Sequence, residues 1–384
     1  MRKVESRNMR PGRHTMASSI VDLLKDLEET VPHGAHSFFQ KLWQTEAKAC
    51  LTETLVASET PSEDQEEAQE TLNLLTEGMR LFVTHATAPS WTAMTKTTKQ
   101  AKIHALQQKP QIAQRSEEWF LQFGRTLTAS EFSAILSSTK RRTDLVRSKS
   151  HPPTDCISFR HACPTEQLTP TGWGIRFEPV VKQILEHQDR CSIYEPGRLT
   201  HATNPYLAAS PDGIVEAAEH AEQLGRLVEI KCPYSRKIGG EIPVDYWIQM
   251  QIQMEVTDLD ECEYVECEFV SPKPGKEVPV DLSGCLLTGT LYLLKEEVPE
   301  GQPFVYQYLY GPIGSQTTPP APKGYCLQET IPWGLKAWHR KVVIRDRIWY
   351  AATIPWQTQF WNDVEEARRS GVSPQKEVCL ISDE

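Results

Sequence analysis

The chain has 384 residues, 39% of them hydrophobic and 24% charged, with a formal net charge of -10. That length allows two domains, or one domain with extensions, and the composition fits a soluble globular class. No apolar run is long enough to span a bilayer, so no membrane partner is expected.

Residues 1–105 read as an accessory region. The basic start "MRKVESRNMRPGRHTMASS" has no apolar core after it, so a secretory signal is not expected. "IVDLLKDLEETV" and "FFQKLWQTEAKACL" carry helical apolar spacing, and "ASETPSEDQEEAQET" reads as a linker or solvated helix start. Next, "RSEEWFLQFGRTLTASEFSAIL" predicts a turn or strand and then a helix, with Ser130 as its N-cap. Residues 138–170 are polar, basic and Pro-containing, and predict a long loop. "GWGIRFEPVVKQILEHQ" predicts a helix whose first turn holds Pro179, where a missing donor does no harm. Val181 and Leu185 then share a face with Glu178, so that carboxylate is expected to point inward. An inward carboxylate is costly unless it has a partner.

Short strands follow: "GRLTH", "YLAAS", "GIVEA" and "GRLVEIKCP". Strand alternation places Glu229 and Lys231 on one face, with Val228 and Ile230 on the other. "VDYWIQMQIQMEV" has helical spacing, and "CEYVECEFV" alternates as a strand. This order predicts a mixed α/β core. Beyond it, "CLLTGTLYLL" and "FVYQYLY" read as strands between Pro- and Gly-rich turns. The aromatic C-terminal segment is expected to be partly helical and to pack on the core. The expected division is a 1–105 accessory region, a 106–275 core and a 276–384 extension.

Charge is unevenly distributed. Thr52 to Gly78 holds eight acids and no Lys or Arg, and Glu255 to Glu268 holds seven acids and again none. Lys96 to Arg176 holds thirteen Lys plus Arg against six acids. An acidic protein with such a stretch can still present an anion-binding surface. The ten cysteines are scattered, with no C-x-x-C pair, which fits a reducing intracellular setting, nuclear or cytoplasmic. His151, Cys156, His161 and Cys163 are zinc-capable residue types, but their spacing matches no standard site.

"LAASPDGIV" raises the functional question. Asp212 lies between Pro211 and Gly213, where Asp is ordinary turn chemistry. Seventeen residues on comes Glu229, then Lys231 on the same strand face, with Glu178 facing inward from the preceding helix. Three carboxylates converging on one place need a cation. Mg²⁺ suits such hard oxygen ligands, with Asp212, Glu229, the carbonyl of Ile230 and Glu178 as the protein's share, and Mn²⁺ as a substitute. Lys231 suits orienting a water or stabilising phosphate charge. Phosphodiester hydrolysis needs this combination.

The joint pattern of "SPDG", "EIKCP" and "QMQIQM" resembles the lambda-type exonuclease or YqaJ-like viral recombinase family of the PD-(D/E)xK nuclease superfamily, over roughly residues 115–270. The resemblance implies a restriction-endonuclease-like α/β core, a mixed central sheet flanked by helices, with N- and C-terminal extensions. It implies metal ligation by Asp212 and Glu229, a catalytic Lys231, Glu178 at the metal site, and Gln249 in the active site with Gln251 following. It places Ser130 and Arg125 of "GRTLTAS" on a DNA 5′ phosphate, although the Arg125 spacing departs from the phage form. The implied activity is 5′-to-3′ digestion of linear double-stranded DNA, leaving 3′ single strands for recombination or genome processing, beside a single-strand annealing protein. "DLDECEYVECEF" is reminiscent of relatives from large DNA viruses of eukaryotes, which points to a virus-infected cell. The phage-type enzymes form rings, and the extensions here leave an oligomer open. Three other readings stay open: a PD-(D/E)xK endonuclease or resolvase, a catalytically inert DNA-binding scaffold of the same fold, and an unrelated α/β protein.

Overall fold

The computed structural model describes residues 94–112, 118, 122–137, 139–151, 168–274, 280–302, 304–314 and 319–371. In chain order these form α1 (Lys96–Gln108), β1 (Leu127–Thr128), α2 (Thr139–Ser150), α3 (Pro170–Asp189), β2 (Cys191–Tyr194), β3 (Leu199–Thr200), β4 (Leu207–Ala209) and β5 (Gly213–Ala218). There follow β6 (Leu227–Lys231), α4 (Val244–Thr257), β7 (Glu261–Val270), β8 (Leu287–Glu296), β9 (Tyr306–Tyr310), β10 (Tyr325–Ile344), α5 (Arg347–Ala352) and α6 (Ile354–Ser370). The described residues divide into two compact units, 94–132 with 168–345, and 133–151 with 346–371.

The first of these units holds a seven-stranded sheet in the order β2-β5-β6-β7-β10-β8-β9 and a three-stranded sheet in the order β1-β4-β3. In the large sheet β6 and β7 are parallel, joined through α4, and the other neighbours are antiparallel. The result is the mixed α/β core that the element order predicts. Strands β8 to β10 extend this same sheet, because their alternating apolar residues, Leu291 and Leu293 with Ile331 and Trp333, enter the core with α3. Residue 275 therefore marks no break in the sheet, and strands that the sequence reading assigned to the extension are continuous with the core.

Helix α3 shows how the core forms. Thr169 caps it, its hydroxyl accepting from Gly172 N at 3.0 Å, and Pro170 takes the first turn. Pro179 therefore lies in the helix interior, not in its first turn as expected. It removes one backbone donor. The helix persists because Trp173, Phe177, Val180, Val181, Ile184 and Leu185 are all buried against Val228, Ile230 and Val265 of the sheet. Each such side chain contributes about 1.5–3 kcal/mol on burial.

The turn within "LAASPDGIV" does not close a hairpin. Strand β4 belongs to the small sheet and β5 to the large sheet, so Ser210–Pro211–Asp212 is the crossing between them. Gly213 starts β5 so close to β2 that an added Cβ would lie 2.3 Å from Ile193 Cγ2.

In the second unit, residues 139–150 form α2 where a loop was expected. The segment lacks an amphipathic signature, but Leu145, Val146 and Lys149 are buried. Arg142 pairs with Asp363 of α6, and Arg368 donates to the Lys149 carbonyl at 3.1 Å. Helix α6 buries Trp356, Phe360, Val364 and Ala367 at helical spacing. Of the zinc-capable set only His151 is described, so Cys156, His161 and Cys163 lie outside the described residues, as does most of the 1–105 region. Among the described residues no helix is long and apolar enough to cross a membrane.

Candidate active site

Strand β6 alternates as its sequence predicts. Val228 and Ile230 turn to the α3 core, while Glu229 and Lys231 turn to α4. Glu229 is fully buried. Its Oε2 accepts from Gln253 Nε2 at 2.6 Å, and its Oε1 lies against Lys231 Nζ. Lys231 Nζ also donates to Gln249 Oε1 at 3.4 Å and stands 4.5 Å over the Tyr246 ring. Burial works against the Lys231 charge, but Glu229 and then Asp212 outweigh it, and the lysine pKa is raised.

Asp212 reaches this group from the crossing between the sheets. Its Oδ2 accepts from Ile230 N at 2.7 Å, which fixes the carboxylate against β6. Burial pushes its pKa well above the usual carboxylate range, the Glu229 charge adds to this, and Glu178 adds a smaller share. Lys231 and the Ile230 N–H pull the other way without prevailing. Asp212 is thus a turn residue by position and a site residue by environment. A carboxylate pair in one buried place is the pattern that marks functional sites.

Glu178 stands further out. It is half-buried rather than turned fully into the core, because it pairs with Lys182 one helical turn on, at 2.8 Å. Lys182 pairs in turn with Glu195 at 2.9 Å. Among the described residues no three His, Cys, Asp or Glu side chains form a ready-made metal cage. The expected three-carboxylate convergence is therefore two carboxylates in contact with β6 and a third acting at a distance.

The donor set still fits a hard divalent ion. Asp212 and Glu229 offer oxygen only, side by side against strand β6, and Lys231 Nζ is the only cation paired with them among the described contacts. Mg²⁺ keeps several waters and needs one or two carboxylates from the protein, so two are sufficient.

A cavity of about 250 Å³ opens beside these groups, lined by Asp212, Gln249 and Gln253 together with Phe123, Thr128, Ala129, Ser130, Glu131, Arg198 and Ser210. Ser130 is therefore in the same cavity as Asp212. It does not cap an α-helix: a five-residue 3-10 turn, Phe132–Leu136, follows instead. The turn is closed from Thr128, whose N and Oγ1 both donate to Glu131 Oε2, at 3.0 and 2.6 Å. Ser130 Oγ stays exposed, 3.3 Å from Thr128 Oγ1. Arg125 is exposed in the preceding short turn and is not among the residues lining the cavity.

Gln251 is not in the site. Its Nε2 donates to the Ile344 carbonyl of β10 at 2.9 Å. Residues two apart on a helix face different ways, whereas Gln249 and Gln253, four apart, share a face. Gln253, Tyr246, Ser210 and Arg198 were missed by the sequence reading. For Gln253 the signal was there: the full run is Q-x-Q-x-Q, and helical spacing pairs its first and last members.

An Asp at a strand crossing, an E-x-K pair on the neighbouring strand and helix glutamines above them thus meet in one place, the arrangement that the resemblance implies. Residues 118–260 match the YqaJ-like viral recombinase domain. The chain is 24% identical over 312 residues to an uncharacterized protein of Acanthamoeba polyphaga mimivirus, an alignment covering 69% of this chain and 55% of the relative. The match thus spans little more than half of that relative's length. Among solved structures, an alkaline exonuclease from Laribacter hongkongensis is 16% identical with a TM-score of 0.38, over 67% of this chain and 98% of its own. A phage-related exonuclease from Haemophilus somnus is 11% identical with a TM-score of 0.38, over 64% of this chain and 96% of its own.

Proposed function

We propose that the protein is a metal-dependent deoxyribonuclease that digests linear double-stranded DNA from 5′ ends and leaves 3′ single strands. The observation that carries this reading is the shared cavity: hydroxyls and a buried cation suited to a phosphate line the same space as Asp212 and the Gln249–Gln253 face. Asp212 and Glu229 would hold Mg²⁺ or Mn²⁺, with the Ile230 carbonyl and Glu178 as further contributors. When bound, the ion supplies Lewis acidity and a more acidic water. Lys231, kept charged by Glu229, is placed to stabilise charge on the scissile phosphate. Gln249 and Tyr246 fix where that ammonium sits. Ser130 donates to the end phosphate. The 3′ single strand suits a single-strand annealing protein, which we propose as the partner.

The test uses linear duplex carrying either a 5′ phosphate or a 5′ hydroxyl, each end-labelled on either strand, with Mg²⁺ or EDTA. Metal-dependent release from phosphorylated 5′ ends is expected, with closed circular plasmid left intact. Nicking of the closed circle, release first from 3′ ends, or full activity in EDTA would overturn the reading.

A further inference from the structure

We propose that Arg198, rather than Arg125, supplies the positive charge that recognises the terminal phosphate. The inference rests on the end-recognition part of the reading above and names its specificity-determining residue. Arg198 is 3% exposed and lines the cavity with Ser130, Ser210 and Asp212. Its backbone is held firmly: Arg198 N donates to the Ile112 carbonyl at 2.9 Å, and Gly197 N to Gln111 Oε1 at 2.8 Å. Gly197 has no room for a side chain, since a Cβ would lie 2.7 Å from the Ile112 oxygen. The backbone before the guanidinium is thus set by a close-packed strand approach.

A buried guanidinium is costly unless anions face it. Burial depresses the Arg198 pKa, and Glu131 is the charge that opposes the shift. The Glu131 carboxylate is shared, because its Oε2 already accepts from Thr128 N and Oγ1. An anion arriving in the cavity would find a preset cation and the hydroxyls of Ser130 and Ser210 in the same wall. The cavity's volume of about 250 Å³ is far more than one water needs and leaves room for a phosphate. A terminal phosphate brings up to two charges and three free oxygens. An internal one brings a single charge and two free oxygens. The planar fork of arginine matches such oxygens in pairs, which a lysine cannot do. Glu131 opposes the same anion, so it tempers the site while it supports Arg198.

The experiment measures the ratio of kcat/KM on 5′-phosphorylated over 5′-hydroxyl linear duplex for wild type, R198K, R125Q and E131Q, with each fold checked by circular dichroism. R198K keeps the charge and loses the fork, and its ratio should fall at least about fivefold. R125Q should keep the wild-type ratio. E131Q retains an oxygen for Thr128 and removes the competing charge, and its ratio should rise. If R198K does not fold, the E131Q ratio decides: a rise supports the assignment, and no rise overturns it. A wild type that prefers phosphorylated ends, with the preference lost in R125Q and kept in R198K, overturns this assignment and leaves end recognition standing. A wild type with no preference overturns end recognition itself, and this inference with it.

Discussion

Asp212→Asn separates two demands on one carboxylate. In the metal-free protein, burial and the Glu229 and Glu178 charges hold the Asp212 pKa well above the usual range. Its folded pKa therefore exceeds its unfolded value of about 3.9. The native state binds more protons than the unfolded state in that window, so stability is full below the unfolded pKa and is lost as pH rises through the folded one. Each tenfold displacement of that equilibrium is worth about 1.4 kcal/mol. Asparagine is neutral at every pH and keeps an oxygen for the Ile230 N–H, now 2.7 Å away. At pH 8 in EDTA, Asp212→Asn should be more stable by roughly 1–2 kcal/mol. In a folded unit of this size that is about 2–8 °C in Tm. Near pH 4 the gain should largely vanish, since wild-type Asp212 is then protonated in the folded state and about half protonated in the unfolded one. Thermal unfolding in EDTA across pH 4 to 8.5 measures both ends of the window. Equal Tm values at pH 8, or a mutant less stable at every pH, would refute the reasoning. Added Mg²⁺ should raise the wild-type Tm by mass action and leave the mutant's nearly unchanged, while cleavage by the mutant is lost.

Three further outcomes follow from named contacts. Lys231→Ala should lose about 3 kcal/mol of transition-state stabilisation, a hundredfold or more in single-turnover rate; a mutant within a few-fold of wild type would mark the lysine as only a partner of Glu229. Gln253→Leu removes the 2.6 Å donor to Glu229 and should raise the Mg²⁺ concentration needed for half-maximal rate about tenfold. A metal titration identical to wild type would show that Gln253 is only packing. Gly213→Val forces a side chain into Ile193 and should cost about 1–3 kcal/mol in urea unfolding; an unchanged midpoint would show that β2 gives way freely.

How much was legible in the sequence depends on whether a feature is local. Alternation on β6 needs only neighbouring residues, and it put Glu229 and Lys231 on one face and Val228 and Ile230 on the other, as the structure has them. Helix α2 was not legible, because its burial of Leu145, Val146 and Lys149 depends on α6, over two hundred residues away. Pro179 misled for a related reason. Local rules confine a proline to the first turn, but a fully buried face on both sides of it outweighs one lost donor. Glu178 misled by degree: its face was read correctly, yet the pairing with Lys182 draws the carboxylate toward the surface.

The phosphate end of the cavity was the least legible part, and the reason is topological. Thr128 ends β1 and Ser130 and Glu131 follow it, Arg198 precedes β3, and Ser210 follows β4. These three strands make the small sheet, with β4 parallel to β1 and antiparallel to β3. Pairing them brings the end of β1, the start of β3 and the end of β4 to one edge, and that edge is the cavity wall. Spacing along the chain carries none of this, since the residues span 128 to 210 with no shared period. The same edge delivers Asp212, because the chain leaves β4 through Ser210 and Pro211 and enters β5 of the large sheet at Gly213. One strand crossing thus ties the hydroxyl-lined wall to the carboxylate pair. A terminal phosphate held at Ser130 and Arg198 would lie in the same cavity as Asp212.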